Sequence, residues 1–295
     1  MQYSKQAEGH GAIAAGGRLS APSTEASAAS GRLIARRVAV PALDPATIAA
    51  MWSVFRQYYA DISESRFLAD LHEKQWVILL LDEGDRSVQG FSTIQVLRRR
   101  FEGLEYLAVY SGDTIIHAAY WGQTALQAGF YRFLMRLMLS NPFTPVYWFL
   151  ISKGFKTYLL VSRGCPDYWP RHDQPTPPRI LGMLDQLASE KFGDAWQPAT
   201  GILHFATPAG RLREGVAPIS AELLSHPDIR FFAERNPGHA QGDELCCLAR
   251  IDLKLALFYV GKLARKRWQR LRRRSLRGAP AAARVKASNH PEHAR

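Results

Sequence analysis

The sequence predicts an α+β protein with a mixed central β-sheet flanked by helices, and three observations support this fold class. Short apolar runs typical of strands alternate with longer stretches of helical periodicity. Three strand candidates follow one another between residues 76 and 116, whereas the next strand comes after a helix, so an antiparallel meander leads into a strand–helix–strand unit. No Gly-x-Gly-x-x-Gly pattern follows the first strand, which argues against a doubly wound dinucleotide-binding fold.

The first half of the chain contains clearly delimited elements. After a strand at 32–40, Asp44 and Pro45 provide the cap and first turn of a helix that runs to about residue 59. Asp61, with Glu64 three residues later, predicts a capping box and a second helix that ends near residue 74. The following predictions are strands at 76–81, 88–97 and 105–116, a helix at 122–139, a strand at 146–151 and a short helix at 153–161.

The second half is less regular. Its predicted elements are a helix at 178–191, a short strand at 201–205, a helix at 221–224, a strand at 244–251 and a last helix from near residue 252. Residues 1–30, and those after Gly278, are rich in small residues without periodicity, which predicts disordered ends.

The composition is typical of a globular protein from a reducing compartment. Hydrophobic residues make up 47% of the chain and charged residues 22%, which excludes general disorder. A transmembrane helix needs an apolar run of about 18 residues, and no run in this sequence is that long. The N-terminus lacks the pattern of a secretory signal. Because Cys165, Cys246 and Cys247 show neither a zinc spacing nor a disulfide framework, we expect a cytoplasmic protein without a metal.

The formal net charge of +12 is concentrated near the C-terminus. Nine basic and no acidic residues lie between Lys262 and Arg277. Around them, an apolar stripe at helical spacing consists of Leu253, Leu257, Val260, Ala264, Trp268 and Leu271. Such a helix suits peripheral contact with the anionic inner face of a membrane. The alternatives are packing against the domain and attraction of nucleic acid without sequence preference, of which nucleic acid is the least expected.

The segment from Ile116 to Leu126 carries the chemistry that the sequence suggests. Its residues, Ile-His-Ala-Ala-Tyr-Trp-Gly-Gln-Thr-Ala-Leu, lie between a predicted strand and a predicted helix. At such a position, backbone N–H groups and the helix dipole can converge on a phosphate. The alternative interpretation is an ordinary strand–turn–helix connection.

This segment resembles the Val-His-Pro-Glu-Tyr-Arg-Gly-Lys-Gly-Ile-Gly segment of the GNAT superfamily of N-acetyltransferases. The match keeps an apolar residue at 116 together with His117, Tyr120 and Gly122. Trp121 stands at the usual arginine, and Thr124 and Leu126 replace two glycines. The resemblance implies that the pyrophosphate of acetyl-CoA or another acyl-CoA binds here. The expected contacts are Ile116, Trp121, Gly122, Gln123, Thr124, Ala125, Leu126 and, on the next strand, Ser152.

The order of elements extends the resemblance over roughly residues 32–170. In GNAT proteins two parallel strands splay apart to admit the pantetheine arm, and the strand at 146–151 is expected to be one of them. The helix that follows often carries a tyrosine that protonates the departing thiolate, and Tyr158 occupies a comparable place. The alternative is a tyrosine packed half-buried on a helix.

Asp113 is the first candidate for a general base. A charged residue is unusual inside a strand, and the adjacent Gly112 suggests a bulge or the close approach of a ligand. A carboxylate there could take the proton of an acceptor ammonium, directly or through water. A simple turn at Gly112-Asp113 is the alternative. His117 is a second candidate base, although a histidine at a strand end is more often structural.

Three further clusters have structural and functional interpretations. The aromatic and charged run from Tyr168 to Asp173 could line the acceptor or acyl pocket, or pack against the core. Asn236-Pro237-Gly238-His239 is typical of a turn, with a substrate-binding loop as the minority view. Cys246 and Cys247 lie in an apolar strand, which favours inert packing over nucleophilic catalysis.

Two functional hypotheses follow. The first is an acyltransferase that moves an acetyl or longer acyl group from acyl-CoA, or from an acyl carrier protein, to a small-molecule or lipid-like amine. The second is a non-catalytic GNAT-like module that attaches to membrane or nucleic acid through its basic helix. In either case we expect a GNAT-like domain at residues 31–251 with an insertion at about 171–243, followed by a basic amphipathic helix at 252–277.

Overall fold

A nine-stranded sheet forms the centre of the computed structural model, which describes residues 31–205, 211–212, 218–258, 260–261 and 268. The ends predicted to be disordered, and most of the predicted basic helix, lie outside the described residues. The strands are β1 (Leu33–Ala39), β2 (Tyr59–Ala60), β3 (Trp76–Asp82), β4 (Val88–Phe101), β5 (Leu104–Ile116), β6 (Val146–Ser152), β7 (Tyr168–Trp169), β8 (Trp196–Gln197), β9 (Ile202–Leu203), β10 (Arg211–Leu212) and β11 (Glu244–Ile251).

The sheet mixes antiparallel and parallel pairing. Its strand order is β1-β3-β4-β5-β6-β11-β9-β8, β7 pairs with β11, and β2 and β10 form a separate short pair. Among the described strands, only β5 and β6 pair in parallel. The predicted meander therefore comprises β3, β4 and β5, and the predicted strand–helix–strand unit joins β5 to β6.

Helices cover both faces of the sheet. The helices α1 (Pro45–Phe55), α2 (Glu64–His72), α3 (Ala125–Ser140), α4 (Phe155–Gly164), α5 (Pro178–Phe192) and α6 (Pro227–Arg235) are described over their whole length. A further helical stretch begins at residue 253, after β11. The apolar sides of α3, α4 and α6 pack on one face, which we call the first face. On the second face, α1 and α2 cover β3 and β4, whereas α5 covers β5, β6 and β11. Strands buried on both faces are largely apolar, as in β3, where only the last residue, Asp82, is charged.

Local capping explains where the first two helices begin. The Asp44 carboxylate accepts from the backbone N–H of Thr47 at 2.8 Å, which confirms the predicted start of α1. The predicted start of α2 at Asp61 is wrong. Asp61 has a positive φ of 59°, and Ser63 caps the helix instead by accepting from the N–H of Arg66 at 3.2 Å.

The irregular second half contains the larger corrections. The helix predicted at 221–224 is only a 3-10 turn at Leu223–Ser225, and the unpredicted helix α6 follows it. Pro227 stands at the first position of α6, where a missing backbone N–H leaves no helical hydrogen bond unmade. The described residues contain no helix that is both long and apolar enough to cross a membrane.

Candidate functional site

A gap opens between the two parallel strands. β5 and β6 pair from Leu107–Val146 to Ser111–Leu150. Beyond Ser111, the described pairings of β5 are with β4 alone, and those of the last two residues of β6 are with β11 alone. The strands therefore part at this level, as the resemblance implies for strands that admit a pantetheine arm.

A β-bulge lies at the start of this gap. Ser92 pairs with Thr114 and Ile94 pairs with Ser111, so Gly112 and Asp113 together lie opposite the single residue Thr93. A bulge, and not the alternative turn, accounts for this pair of residues. A Cβ atom on Gly112 would lie 2.6 Å from Thr93 Oγ1, which explains why glycine is needed here. The bulge directs Asp113 towards the second face, where Ile115 packs two residues later.

Asp113 carries the most unusual charge of the described residues. Its carboxylate is half-buried, yet it makes no hydrogen bond or ion pair with any other described residue. Burial raises its pKa to about 6, and the nearby carboxylate of Asp70 acts in the same direction. Lys153 and Lys74 oppose this rise. A half-buried carboxylate without a partner is unfavourable for the fold, and such groups cluster at functional sites.

Charged residues from three segments of the chain lie near Asp113. Lys153, after β6, forms a 3.2 Å ion pair with the buried Glu244 at the start of β11. Burial raises the pKa of Glu244, and the Lys153 ammonium counters this effect. Lys74 is buried after α2, and its ammonium donates to the Asp70 carbonyl at 2.8 Å. Burial lowers the pKa of Lys74.

Three hydroxyl groups of this region have no hydrogen-bond partner among the described residues. Thr93 Oγ1 is buried and unpaired. The phenols of Tyr59 and Tyr110 are likewise without a hydrogen bond, and burial raises the pKa of both. The carboxylates of Asp113 and Glu244 raise these two pKa values further. Buried polar atoms are normally paired, so the unpaired Thr93 Oγ1 indicates a place for water or a polar ligand. We call Asp113, Tyr59, Tyr110, Thr93, Lys74, Lys153 and Glu244 the polar chamber.

The first turn of α3 presents backbone donors. Its first internal hydrogen bond is donated by Ala128, to the Thr124 carbonyl, at 3.0 Å. The N–H groups of Ala125, Leu126 and Gln127 have no acceptor in the described part of the chain, and no side chain caps the helix. A helix start with such amides attracts anions. Gly122, just before it, has a positive φ of 89°.

The preceding loop is held by its own residues. The predicted base His117 accepts from the Ala119 N–H at 3.4 Å and packs edge-on against Tyr58, which gives it the structural role that was its alternative. Gln123 binds the backbone of the first strand, because its side-chain amide donates to Gly31 O at 3.0 Å and accepts from Leu33 N at 2.9 Å. If the Gln123 side chain were to contact an acyl donor, as the resemblance implies, these two hydrogen bonds would have to break.

Trp121 lies across the end of the gap. Its indole N–H donates to the Ile116 carbonyl at 2.8 Å. An acyl donor could therefore bind the Ile116 carbonyl only if the indole moved. The ammonium of Lys156, on α4, lies 4.3 Å from the centre of the indole. The exposed Thr124 is free of a capping bond, whereas the side chain of Leu126 points into the core of the first face. Leu126 therefore does not obstruct the approach of a ligand to its N–H group.

Tyr158 and Ser152 are placed differently from the expectation. The Tyr158 side chain is fully buried on the first face, and its hydroxyl donates to the Pro170 carbonyl at 3.0 Å. The Ser152 hydroxyl is also buried and donates to the Gly154 carbonyl at 2.9 Å. The structure does not bring either group together with Asp113, and it favours the packed-tyrosine alternative for Tyr158.

The remaining clusters make contacts within the fold. Tyr168 and His172 both contact Asp228 at the start of α6, at 3.3 and 3.1 Å, so the aromatic run packs against a helix. The buried Asn236 donates to the Asp243 carbonyl at 2.9 Å and closes a turn. All three cysteines are buried, and the described residues contain no group of three or more side chains suited to a metal.

Sequence reasoning missed most of the polar chamber. Lys74, Lys153, Glu244 and Tyr59 come from four separate segments, and only the register of the sheet brings them together. A weak signal was present, because Lys153 follows one apolar strand and Glu244 opens another. Charges at the two ends of buried strands can meet when those strands pair.

Comparisons with known proteins concern the fold. No protein-family model and no curated protein matches the chain. A probable N-acyltransferase from Enterococcus faecalis is 15% identical with a TM-score of 0.35, and the similarity covers 46% of this chain and 32% of that one. The GNAT-family acetyltransferase YhbS of Escherichia coli, solved with CoA, is 16% identical with a TM-score of 0.33, and the similarity covers 47% of this chain and 71% of that one. A Trypanosoma brucei acetyltransferase is 12% identical with a TM-score of 0.34, and the similarity covers 50% of this chain and 98% of that one.

At TM-scores below 0.5, these similarities carry no argument about the fold or the activity of this chain. The chain spans about a third of the length of the Enterococcus protein. The observed strand order and the single parallel pair among the described strands stand independently of the comparisons. They confirm the predicted fold class, a GNAT-like mixed sheet flanked by helices.

Proposed function

We propose that the protein transfers an acyl group from a thioester donor to an amine acceptor. The observation that carries this proposal is the unpaired, half-buried Asp113 carboxylate at the bulge where β5 and β6 part. A carboxylate with a pKa of about 6 is ionised at neutral pH and can still accept a proton efficiently. Its position beside a gap between strands suits a base that acts on an amine next to a bound donor.

The donor is proposed to bind at the gap and at the start of α3. The amides of Ala125, Leu126 and Gln127 provide donors for phosphate oxygens, and Lys156 lies nearby over Trp121. Acyl-CoA carries a diphosphate and an acyl carrier protein carries a single phosphate on the same pantetheine arm. Both are therefore candidate donors, and we take acyl-CoA as the first to test.

The acceptor amine is proposed to enter from the second face, through the polar chamber. Asp113 removes a proton from the ammonium, and the amine lone pair attacks the carbonyl carbon of the thioester. An amide bond forms, the carbon–sulfur bond breaks, and the thiolate leaves with the bonding electrons. The nitrogen loses its second proton as the amide forms, and this proton passes to the thiolate through Tyr59. The Lys74 and Lys153 ammonium groups keep the ionised base tolerable in this partly buried position.

Tyr59 replaces Tyr158 as the proposed proton donor to the thiolate. Its phenol has no hydrogen bond among the described residues, and its pKa is raised by burial and then by Asp113. The Lys153 ammonium lies 5.5 Å from the centre of its ring. A phenol in this position keeps its proton at neutral pH and gives it to the thiolate only as the second proton of the reacting nitrogen replaces it.

Donor binding and turnover test the proposal separately. Thermal shift should show stabilisation by acetyl-CoA or longer acyl-CoAs, and thiol release should then appear with at least one member of a panel of primary amines. Asp113→Asn should keep the thermal shift and lose the thiol release. If no thioester stabilises the protein, the acyltransferase is refuted and the non-catalytic module is left.

A further inference from the structure

The helix after β11 exposes an apolar stripe. Residues 253–258 and 260–261 are helical and follow the sheet directly. Leu255 is 1% exposed and belongs to the core of the first face, so it attaches the start of this helix to the domain. In contrast, Leu253 is 68% exposed, Leu257 73% and Val260 62%. The predicted apolar stripe therefore faces away from the core, which excludes packing against the domain for these three side chains.

The exposed side chains share one helical face. Leu253, Leu257 and Val260 are spaced four and three residues apart, which places them side by side. Trp268, which is 56% exposed, continues the same spacing further along the sequence. Single exposed leucines are ordinary on protein surfaces, but an aligned apolar row is typical of an interaction site.

The sequence around the stripe is strongly basic. Lys254 lies within the described helix, and nine basic residues follow between Lys262 and Arg277 without an acidic one. A partner that covers this surface should therefore be negatively charged. A second copy of the chain would bring the same positive charge, and nucleic acid offers little to aliphatic side chains such as Leu257.

We propose that the face formed by Leu253, Leu257 and Val260, together with Trp268 and the basic residues that follow in the sequence, docks on an anionic lipid bilayer. Leucine, valine and tryptophan enter the interface between head groups and acyl chains, while lysine and arginine reach the phosphates. The inference goes beyond the proposed function and does not depend on it.

Docking is separate from the chemistry in space. β11 begins at Glu244, in the polar chamber, and ends at Ile251, where the helix follows. Eight residues of strand span about 23 Å, so the helix starts at the other end of β11 from the polar chamber. Changes at the stripe should therefore leave donor binding unaffected.

Vesicle co-sedimentation of the full chain tests the proposal. The protein should bind vesicles of phosphatidylcholine mixed with phosphatidylglycerol, and bind pure phosphatidylcholine much more weakly. The double variant Leu253→Ser/Leu257→Ser should lower the affinity at least about tenfold, because two exposed leucines no longer enter the interface. The matched control is Leu139→Ser on α3, where a leucine is 70% exposed outside the stripe, and it should bind as the unchanged protein does.

Charge is tested by a second variant. Arg272→Gln/Arg273→Gln/Arg274→Gln should weaken binding to anionic vesicles on the order of a hundredfold, since each basic residue near the surface contributes about 1 kcal/mol. The proposal is overturned if the protein does not bind anionic vesicles, or binds both lipid mixtures equally. It is also overturned if the leucine variant binds unchanged, or if a DNA duplex outcompetes the vesicles at equal phosphate concentration.

Discussion

Replacing Asp113 with asparagine should stabilise the fold while it removes the proposed activity. The native carboxylate has a pKa of about 6 against a usual value of 3.8, so the folded protein holds its proton more tightly than the unfolded chain does. As pH rises through this interval, the folded state loses stability relative to the unfolded state, and below it the difference vanishes. About 2 pKa units correspond to about 3 kcal/mol, which is an upper value because neighbouring side chains relax around the charge.

The variant removes the charge that causes this loss. We expect Asp113→Asn to raise the free energy of unfolding by about 1–3 kcal/mol near pH 8 and to change it little near pH 4. Urea denaturation at a series of pH values measures both. The exposed Asp194→Asn is the matched control, and its effect should be small and independent of pH. Lower stability of Asp113→Asn near pH 8 would refute the reasoning, because it would mean that partners stabilise the carboxylate.

The same side chain predicts a pH profile for turnover. With saturating donor, the rate should rise as the carboxylate ionises, with a midpoint near the pKa of about 6. The asparagine variant should lose about a hundredfold or more in rate. A stabilised variant that retained full turnover would leave the electrostatic account intact and remove Asp113 from the role of base.

Three further predictions concern the residues around Asp113. Tyr59→Phe should lower turnover with little change in stability, whereas Tyr158→Phe should lower stability by about 1 kcal/mol, measured by urea denaturation, and leave turnover unchanged. Gly112→Ala should cost about 1–3 kcal/mol because its methyl group meets Thr93 Oγ1, and Thr93→Ala in the same chain should recover part of this loss. Lys74→Met should move the midpoint of the pH–rate profile upward, because it removes a cation that lowers the pKa of the base; an unmoved midpoint would exclude this coupling.

The fold followed from the sequence because its signals are local. Asp44 and Pro45 identify the start of α1, and the apolar runs of β3 and β6 need no knowledge of their neighbours. The errors arose where two local signals compete. Asp61 and Ser63 are both good capping residues, and the left-handed backbone at Asp61 decides in favour of Ser63.

The site was predictable only in part, because its chemistry depends on register. Asp113 could be singled out, since a charge inside an apolar strand is unfavourable without a function or a partner. Glu244 and Lys153 could not be paired in advance, because they meet only when Leu245 pairs with Ser152 in the sheet. Tyr158 was misplaced for a related reason: the sequence gives its helix, but the packing of α6 determines where its hydroxyl points.

In the proposed donor site, the departures from the GNAT segment change side chains and leave the backbone N–H donors in place. Backbone N–H groups bind anions whatever side chain they carry, and Leu126 keeps its N–H available because its side chain turns into the core. Trp121 removes a positive charge from the loop, but the indole holds the Lys156 ammonium 4.3 Å above its ring. Burial lowers the pKa of Lys156, and an anion bound beside it would favour its charged form. The positive charge that the motif loses in the loop is thus present on α4, beside Trp121.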